Sequence, residues 1–431
     1  MAVTGRLALV VLVGAVAVAL SPTRATVLWW ALVAAALAAL DMALAVSPRR
    51  LRIEREPVPP IRLGERSTSS LLLTNPTGRT LRALVRDAWV PSAGPSGDRH
   101  TVQVKGGERR RLSTPLRPTR RGDRRADRVT VRSFGPLRIG ARQRSFDVPG
   151  SIRALPPFDS RKHLPSRLAS LRQLDGRSAV RTRGQGTEFD SLRDYVEGDD
   201  VRSIDWRATA RRRSVVVRTW QPERDRRVIL MLDTSRTSAG RVGDQPRLDA
   251  AMDAALLLAA LASRAGDRVD FLAGDRWIRA RVAAAANRTT LLGELVQAMA
   301  PLEPALLEAS WPTLASAITD TSRRRSLVVL LTPLEPAAIQ ESLLPTITTL
   351  THHHHVVLAS VSDPRLEDMA RTRQSTQDAY DAAAAERTIA LRERTAAVLG
   401  RLGVDVIDAP PEHLPPRLAD HYLLLKSTGR L

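Results

Sequence analysis

The sequence predicts an α/β protein built on a parallel sheet, preceded by a two-helix transmembrane hairpin and a small β-sandwich. Three observations carry this prediction. Two long apolar runs stand within the first 50 residues, short β-type runs separated by turn residues fill 51–150, and from about residue 225 buried-type strands alternate with helical stretches. The chain accordingly divides into a helical hairpin (1–50), a β-sandwich-like domain (51–150), a basic linker with a dense motif (151–224) and the α/β domain (225–431).

Leu7–Leu20 is uninterrupted and apolar, and Val27–Val46 is broken only by Asp41. The second run has 20 residues, which at ~1.5 Å per residue matches a hydrocarbon core of ~30 Å. The first is shorter and spans only with Ala2, Val3 and a snorkelling Arg6. Only Ser21 to Thr26 lie between them, so the pair must form a tight hairpin. A secretory signal cut near Ala25 is the competing pattern, disfavoured because a second full-length apolar segment follows at once. Arg49, Arg50, Arg52 and Arg55 crowd the far end, Arg6 marks the near end, and Arg24 alone sits in the loop. The arginine bias therefore places both ends and the bulk of the chain on the cytoplasmic side of the inner or plasma membrane. Trp29 and Trp30 fall where an outer-face aromatic belt would lie. Asp41 is roughly two turns from the cytoplasmic end, where snorkelling or pairing with the neighbouring helix would satisfy it.

In 51–150, Thr68–Thr74, Leu81–Val90, Thr101–Val104, Arg128–Arg132 and Leu137–Ala141 read as strands, punctuated by Asn75-Pro76, Pro95-Ser96-Gly97, Gly106-Gly107 and Arg121-Gly122. Strands this short at this spacing suggest a sandwich. The 431 residues carry 66 basic and 45 acidic side chains, a formal charge of +21. Arg99 to Arg144 holds 15 basic residues against Glu108, Asp123 and Asp127, more than half of that excess. Anionic lipid is the better-supported partner for it, since the segment is tethered to the leaflet. Nucleic acid is disfavoured, because stacking aromatics are almost absent there and no recognition motif is visible. A solvated surface is the bland alternative, and the charge is tempered by composition: 63 of the 66 basic residues are arginine, as in a GC-rich coding sequence. The absence of cysteine excludes disulfide scaffolds, thiolate metal sites and cysteine nucleophiles.

Residues 151–183 read as basic and loop-like. Beyond them Val228–Leu232, Val269–Leu272, Leu327–Leu331, Val356–Val361 and Val404–Ile407 are buried-type strands, and Arg247–Arg264, Thr290–Met299, Ala337–Leu350 and Thr376–Leu399 are helical. Such alternation means a parallel sheet covered on both faces.

The densest motif comprises Gly184, Gly186, Glu188, Phe189, Leu192, Arg193, Tyr195, Gly198, Asp199, Asp200, Arg202, Asp205, Trp206 and Arg211. At this segment the chain resembles the bacterial family carrying the domain of unknown function 58, whose hallmark pairs a G-x-G-x-E-F start with a G-D-D-x-R-x-I-D-W-x-A core. Ser133–Leu137 approximates the same family's aspartate-proline-phenylalanine-glycine segment, with the order altered. Physically, Gly184-x-Gly186 lacks the third glycine and the preceding strand of a dinucleotide loop. The acids and arginines of the motif suit a buried ion network, a docking surface, or a shared metal or proton.

Asp233-Thr-Ser235-Arg-Thr237 follows the strand Val228–Leu232 and presents one carboxylate and two hydroxyls at alternate positions, hard oxygen donors of the kind Mg²⁺ prefers. It is similar to the metal-ion-dependent adhesion site of von Willebrand factor A domains, which the family resemblance also implies for 225–431. Such a site takes a threonine from a second loop, here Thr289 or Thr290, and an acid from a third. The third loop reads Thr332-Pro333-Leu334-Glu335, so a proline stands where the acid is expected, and either Glu335 substitutes through water or the Mg²⁺ site is degenerate. Asp233 and Ser235 can alternatively serve only to brace the loop. His352 to His355 read as the polar start of a strand, not as ligands of one metal, because successive strand side chains face opposite sides.

No catalytic motif is visible, so the expectation is a membrane-anchored, non-enzymatic interaction or assembly factor. The resemblance implies a MoxR-type AAA+ ATPase as partner. A metal-assisted hydrolase using Asp199, Asp200 and Asp205, and an anionic lipid or nucleic-acid binder acting through Arg99–Arg144, are the alternatives.

Overall fold

The structure is a computed structural model that describes residues 2–3, 5–181, 188–221, 226–284 and 290–431. It divides into two compact units, 1–155 and 156–431.

The first unit opens with two helices, Gly5–Leu20 and Arg24–Leu44. Thr23 caps the second by accepting the Thr26 N–H, which fixes the tight turn between them. Trp30 Nε1 donates to the Val10 carbonyl at 2.9 Å, and a Cβ at Gly14 would fall 1.7 Å from the Trp30 ring, so the close approach of the helices requires glycine there. Leu9, Leu12, Val16, Leu28, Trp29 and Leu32 are exposed. The stretch Arg24–Arg50, whose most apolar 18 residues have mean hydropathy 2.0, is long and apolar enough to cross a membrane, whereas the first helix is shorter.

Asp41 corrects the sequence reading. It neither snorkels nor pairs with the other helix. It is fully buried, and its carboxylate accepts three backbone N–H groups, from Leu137 (2.8 Å), Ile139 (2.7 Å) and Gly140 (2.9 Å). Arg138 takes a positive φ of 57°, and the chain around it forms a concave row of donors, a ready anion cradle. At Gly135 a Cβ would lie 2.2 Å from the Asp41 carboxylate, so this glycine makes room for it. The expected strand Leu137–Ala141 therefore starts only at Gly140, because the preceding amides serve Asp41.

Two sheets follow. The long strand Gly122–Phe134 pairs with Leu81–Trp89, Gly140–Phe146 and Ser151–Leu155, while Ser67–Thr74 stands between Arg52–Arg55 and Arg109–Leu116 in a three-stranded sheet. Leu71, Leu73 and Leu112 of the small sheet share one core with Leu81, Val85, Val129 and Val131 of the large one. That shared core makes the pair a sandwich. Strict alternation of buried and open positions over Leu81–Trp89 explains why that strand was legible. Arg109–Leu116 was not, because three consecutive arginines mask its alternation.

The supposedly loop-like 151–183 contains strand Ser151–Leu155, which closes the first unit, and, in the second unit, the turn Asp159–His163 and helix Leu164–Arg181. The six-stranded sheet runs in the order Ile278–Val282, Arg268–Gly274, Arg227–Asp233, Leu327–Leu331, His355–Val361, Val404–Ala409. All neighbours are parallel except the edge strand Ile278–Val282. The helix Arg247–Arg264 is apolar nearly all round and is buried along most of its length. Helices Trp311–Thr321 and Leu414–Ser427 were not foreseen. His352 and His353 close a helix, His354 caps it, and only His355 opens the strand, so the four histidines do not form a strand start.

Candidate functional site

Successive strands place the chain's direction reversal between Arg227–Asp233 and Leu327–Leu331, since helices leaving these two strands must cover opposite faces. Ligands of open parallel sheets bind in the crevice at the carboxyl ends of such a pair. Asp233 stands there, at the end of its strand. Asp233 Oδ1 accepts the Ser235 N–H at 2.7 Å, and Oδ2 accepts hydroxyls from Thr332 (2.7 Å) and Thr237 (3.3 Å). Ser235 Oγ and Thr237 Oγ1 are 3.0 Å apart. Burial pushes the Asp233 carboxyl above the usual carboxylate range, against the pull of these donors.

The predicted trio Asp233, Ser235 and Thr237 is thus brought together. From the third loop it is Thr332, not Glu335, that reaches Asp233. Glu335 Oε1 accepts Arg247 Nη1 at 2.6 Å, and Arg392 Nη1 lies 4.0 Å away. Thr290 precedes the helix Leu291–Met299 and is exposed. Thr289 lies outside the described residues. One carboxylate and three hydroxyls are hard donors that fit Mg²⁺ in kind, though with a single negative charge. Asp275, which sequence reasoning missed, buttresses the same loop: fully buried, it accepts Thr234 Oγ1 at 3.0 Å and Arg279 Nε at 2.9 Å. Burial pushes its carboxyl up, but these donors and the Arg276 amide hold it below the usual range. Its place directly after a buried strand was the available signal.

The second candidate surface is the dense motif. Glu188–Asp194 pairs antiparallel with Val216–Gln221. Gly184 and Gly186 lie outside the described residues, as do the side chains of Glu188 and Phe189. The acids serve separate partners. Asp199 takes Arg193 in a bidentate pair (2.6 and 2.7 Å), which holds its carboxyl below the ordinary range. Asp200 accepts the Arg202 N–H. Asp205 caps the helix Trp206–Arg212 through the Arg207 and Ala208 amides and binds Arg218 Nε at 2.9 Å. The Ala208 amide and then Arg218 hold its carboxyl low. Gly198 supplies the positive φ (105°) of the turn, and Leu192 is half-buried. Its exposed positions mix apolar, basic and acidic side chains: Trp206 is 67% exposed, Val196 and Val201 61%, Tyr195 36%, and Arg202, Arg207, Arg211, Asp194, Glu197 and Asp200 are exposed as well.

In the Arg99–Arg144 region part of the charge is offset, with Arg109 on Glu54 at 2.8 Å and Arg111 on Glu56 at 2.6 Å, both solvent-facing pairs.

Residues 191–395 match the family described as "Protein of unknown function DUF58". Uncharacterized proteins of Mycobacterium bovis and Mycobacterium tuberculosis are 28% identical over 185 residues, 42% of this chain and 57% of theirs. The chain thus spans little more than half the length of these curated relatives. Among solved structures, a PapD-like domain of human CEP192 is 17% identical and covers 25% of this chain and 90% of its own at a TM-score of 0.17. A FixG-related protein from Vibrio parahaemolyticus is 12% identical and covers 24% and 96% at 0.18. Likeness at that level carries no argument about fold.

Proposed function

Taking as premise that residues 191–395 belong to the DUF58 family, we propose that the protein is a membrane-anchored interaction factor whose motif surface docks an acidic protein partner. The observation that carries this reading is the exposed Trp206, in a motif that also exposes Val201, Tyr195 and Arg202. An exposed tryptophan beside arginines is the composition of an interface anchor. Residues 192–218 carry seven arginines against five acids, so the segment is net basic and the complementary partner surface is acidic. By family resemblance that partner is a MoxR-type AAA+ ATPase, engaged on the cytoplasmic side.

The second unit is read as a von Willebrand factor A-like domain. Support comes from its strand order with one antiparallel edge strand, and from the Asp233 loop at the strand reversal. Its Asp233, Ser235, Thr237 and Thr332 would hold Mg²⁺, which supplies an open coordination position to a carboxylate. The two N-terminal helices are read as a two-span anchor, with both ends cytoplasmic. Ala2–Val3 pairs with Gly140–Ala141, and Asp41 docks on Leu137–Gly140, so the start of the first helix and the end of the second stand at one strand.

The test is co-purification of the full chain from solubilised membranes, with bound proteins identified by mass spectrometry. An AAA+ ATPase should be retained by the wild type and lost from Trp206→Ala and Arg202→Glu, with unfolding temperature unchanged. Recovery of the same ATPase with both variants would remove the motif from the interface, and recovery of no ATPase would remove the partner.

A further inference from the structure

Three metal-ligating side chains from three separate elements meet at one edge of the six-stranded sheet. His355 opens its strand, Asp405 is the second residue of the neighbouring strand, and His421 lies in the helix Leu414–Ser427. Both imidazoles point at the same oxygen: His355 Nε2 is 2.9 Å and His421 Nε2 3.1 Å from Asp405 Oδ2, and the three donor atoms all lie within 4.8 Å of one another. This cluster is distinct from the Asp233 loop. His355 and Asp405 stand at the amino ends of their strands, whereas Asp233 is at a carboxyl end.

We propose that His355, Asp405 and His421 form a Zn²⁺ site with one coordination position open. The donor set selects the metal class, because two imidazole nitrogens and one carboxylate suit Zn²⁺, whereas Mg²⁺ and Ca²⁺ take oxygens. The spacing suits the ion. Bonds of about 2.0–2.1 Å in a tetrahedron put neighbouring ligand atoms roughly 3.3 Å apart. The two nitrogen–oxygen separations therefore need to open by a few tenths of an ångström, and the two nitrogens, within 4.8 Å of each other, to settle at a similar distance through small side-chain rotations. The frame is rigid. The strands of His355 and Asp405 are paired by backbone ladder, Val356 against Val404, and the helix of His421 is pinned by buried Leu418, Tyr422 and Leu425. Neighbouring acids are otherwise engaged, Asp420 by Arg167 and Asp408 by Arg392, which leaves the trio as the ligand set. Asp405 is 39% exposed, His421 21% and His355 16%, so solvent reaches the fourth position. Three protein ligands with one open position is the arrangement of zinc sites that bind a further group.

The test uses the full chain in detergent, purified without a polyhistidine handle and stripped with chelator. Titration with Zn²⁺ alone should show one tightly bound equivalent, and Co²⁺ in its place should give the intense visible bands of a tetrahedral site. His355→Ala and His421→Ala should weaken binding by more than the tenfold to hundredfold that outer-shell substitutions cause. His421→Gln keeps a hydrogen-bond donor for Asp405 and the helix, so it should lose the metal while circular dichroism stays unchanged. His353→Ala should bind as the wild type does. Wild-type protein that takes up no Zn²⁺, or His421→Gln that takes it up undiminished, overturns the proposal, and the trio is then a hydrogen-bonded cluster alone.

Discussion

Asp41 Oδ2 lies 2.7 Å from the Ile139 amide nitrogen, so an acidic side chain of a strongly apolar helix is a structural ligand of the β-sandwich. Helix and sandwich are thereby fastened at one point by three charge-assisted hydrogen bonds. Asp41→Ala leaves three amides without their acceptor in a buried place, at about 1–3 kcal/mol for each such group. The expected outcome is a large fall in the unfolding temperature of the full chain in micelles and new proteolytic cleavage near residues 135–141. Asp41→Asn, which keeps one acceptor oxygen, should fall between. A wild-type melting curve for Asp41→Ala would show that the cradle contributes nothing.

The cysteine-free sequence makes the two-span topology directly testable. Single-cysteine variants Ser21→Cys, in the turn between the helices, and Ser427→Cys, near the end of the last helix, should differ in intact cells. A membrane-impermeant maleimide is expected to label the first from outside and to reach the second only after lysis. Labelling of Ser427→Cys from outside, with Ser21→Cys protected until lysis, would replace the hairpin by a single span of the second helix in the opposite orientation.

Asp253 carries a pH dependence. Burial pushes its carboxyl up to about 6 from 3.8, although Ser160 donates both its amide and its hydroxyl to it. The folded state therefore keeps a proton that the unfolded chain has already released. That contribution is fully present below the unfolded value near pH 4 and is lost as pH rises through about 6, in total on the order of 3 kcal/mol. Asp253→Asn removes the linkage and should be more stable than the wild type at pH 7.5 but not at pH 4. Denaturant midpoints for both proteins at the two pH values check this, and parallel curves would count against it.

What was legible in the sequence is what periodicity controls. The helix Arg247–Arg264 was read to the residue because arginines bracket a largely apolar stretch, and the strand Leu327–Leu331 because its five residues are all apolar and follow a charged turn. The edge strand Ile278–Val282 was missed because Arg279 and Arg281 give it the look of a loop, although they alternate as a strand requires. The same logic separates the sites. Asp233, Ser235 and Thr237 lie within five residues, so their meeting could be read from spacing alone. Asp41 and Ile139 are 98 positions apart, and His355 and His421 are brought together by a helix that itself escaped notice. Contacts made by folding across such distances leave no local pattern to read.

The metal reading of the Asp233 loop rests on charge, and Pro333 is the position that decides it. A buried, lone carboxylate with a raised pKa is an incomplete cation site: it pays desolvation without a counter-charge. Calorimetry of the full chain with Mg²⁺ should show weak binding that Asp233→Ala abolishes, and Thr237→Ser should keep it because the hydroxyl survives. Thr332→Val removes the 2.7 Å donor to Asp233 and should weaken it further. Pro333 is buried beside this loop, so Pro333→Asp introduces a second buried acid. In chelator that variant should be less stable than the wild type, since two neighbouring carboxylates repel; in millimolar Mg²⁺ the order should reverse, because the ion satisfies both. A Pro333→Asp protein that is destabilised equally with and without Mg²⁺ would show that Asp233 serves only to brace its loop through Ser235, Thr237 and Thr332.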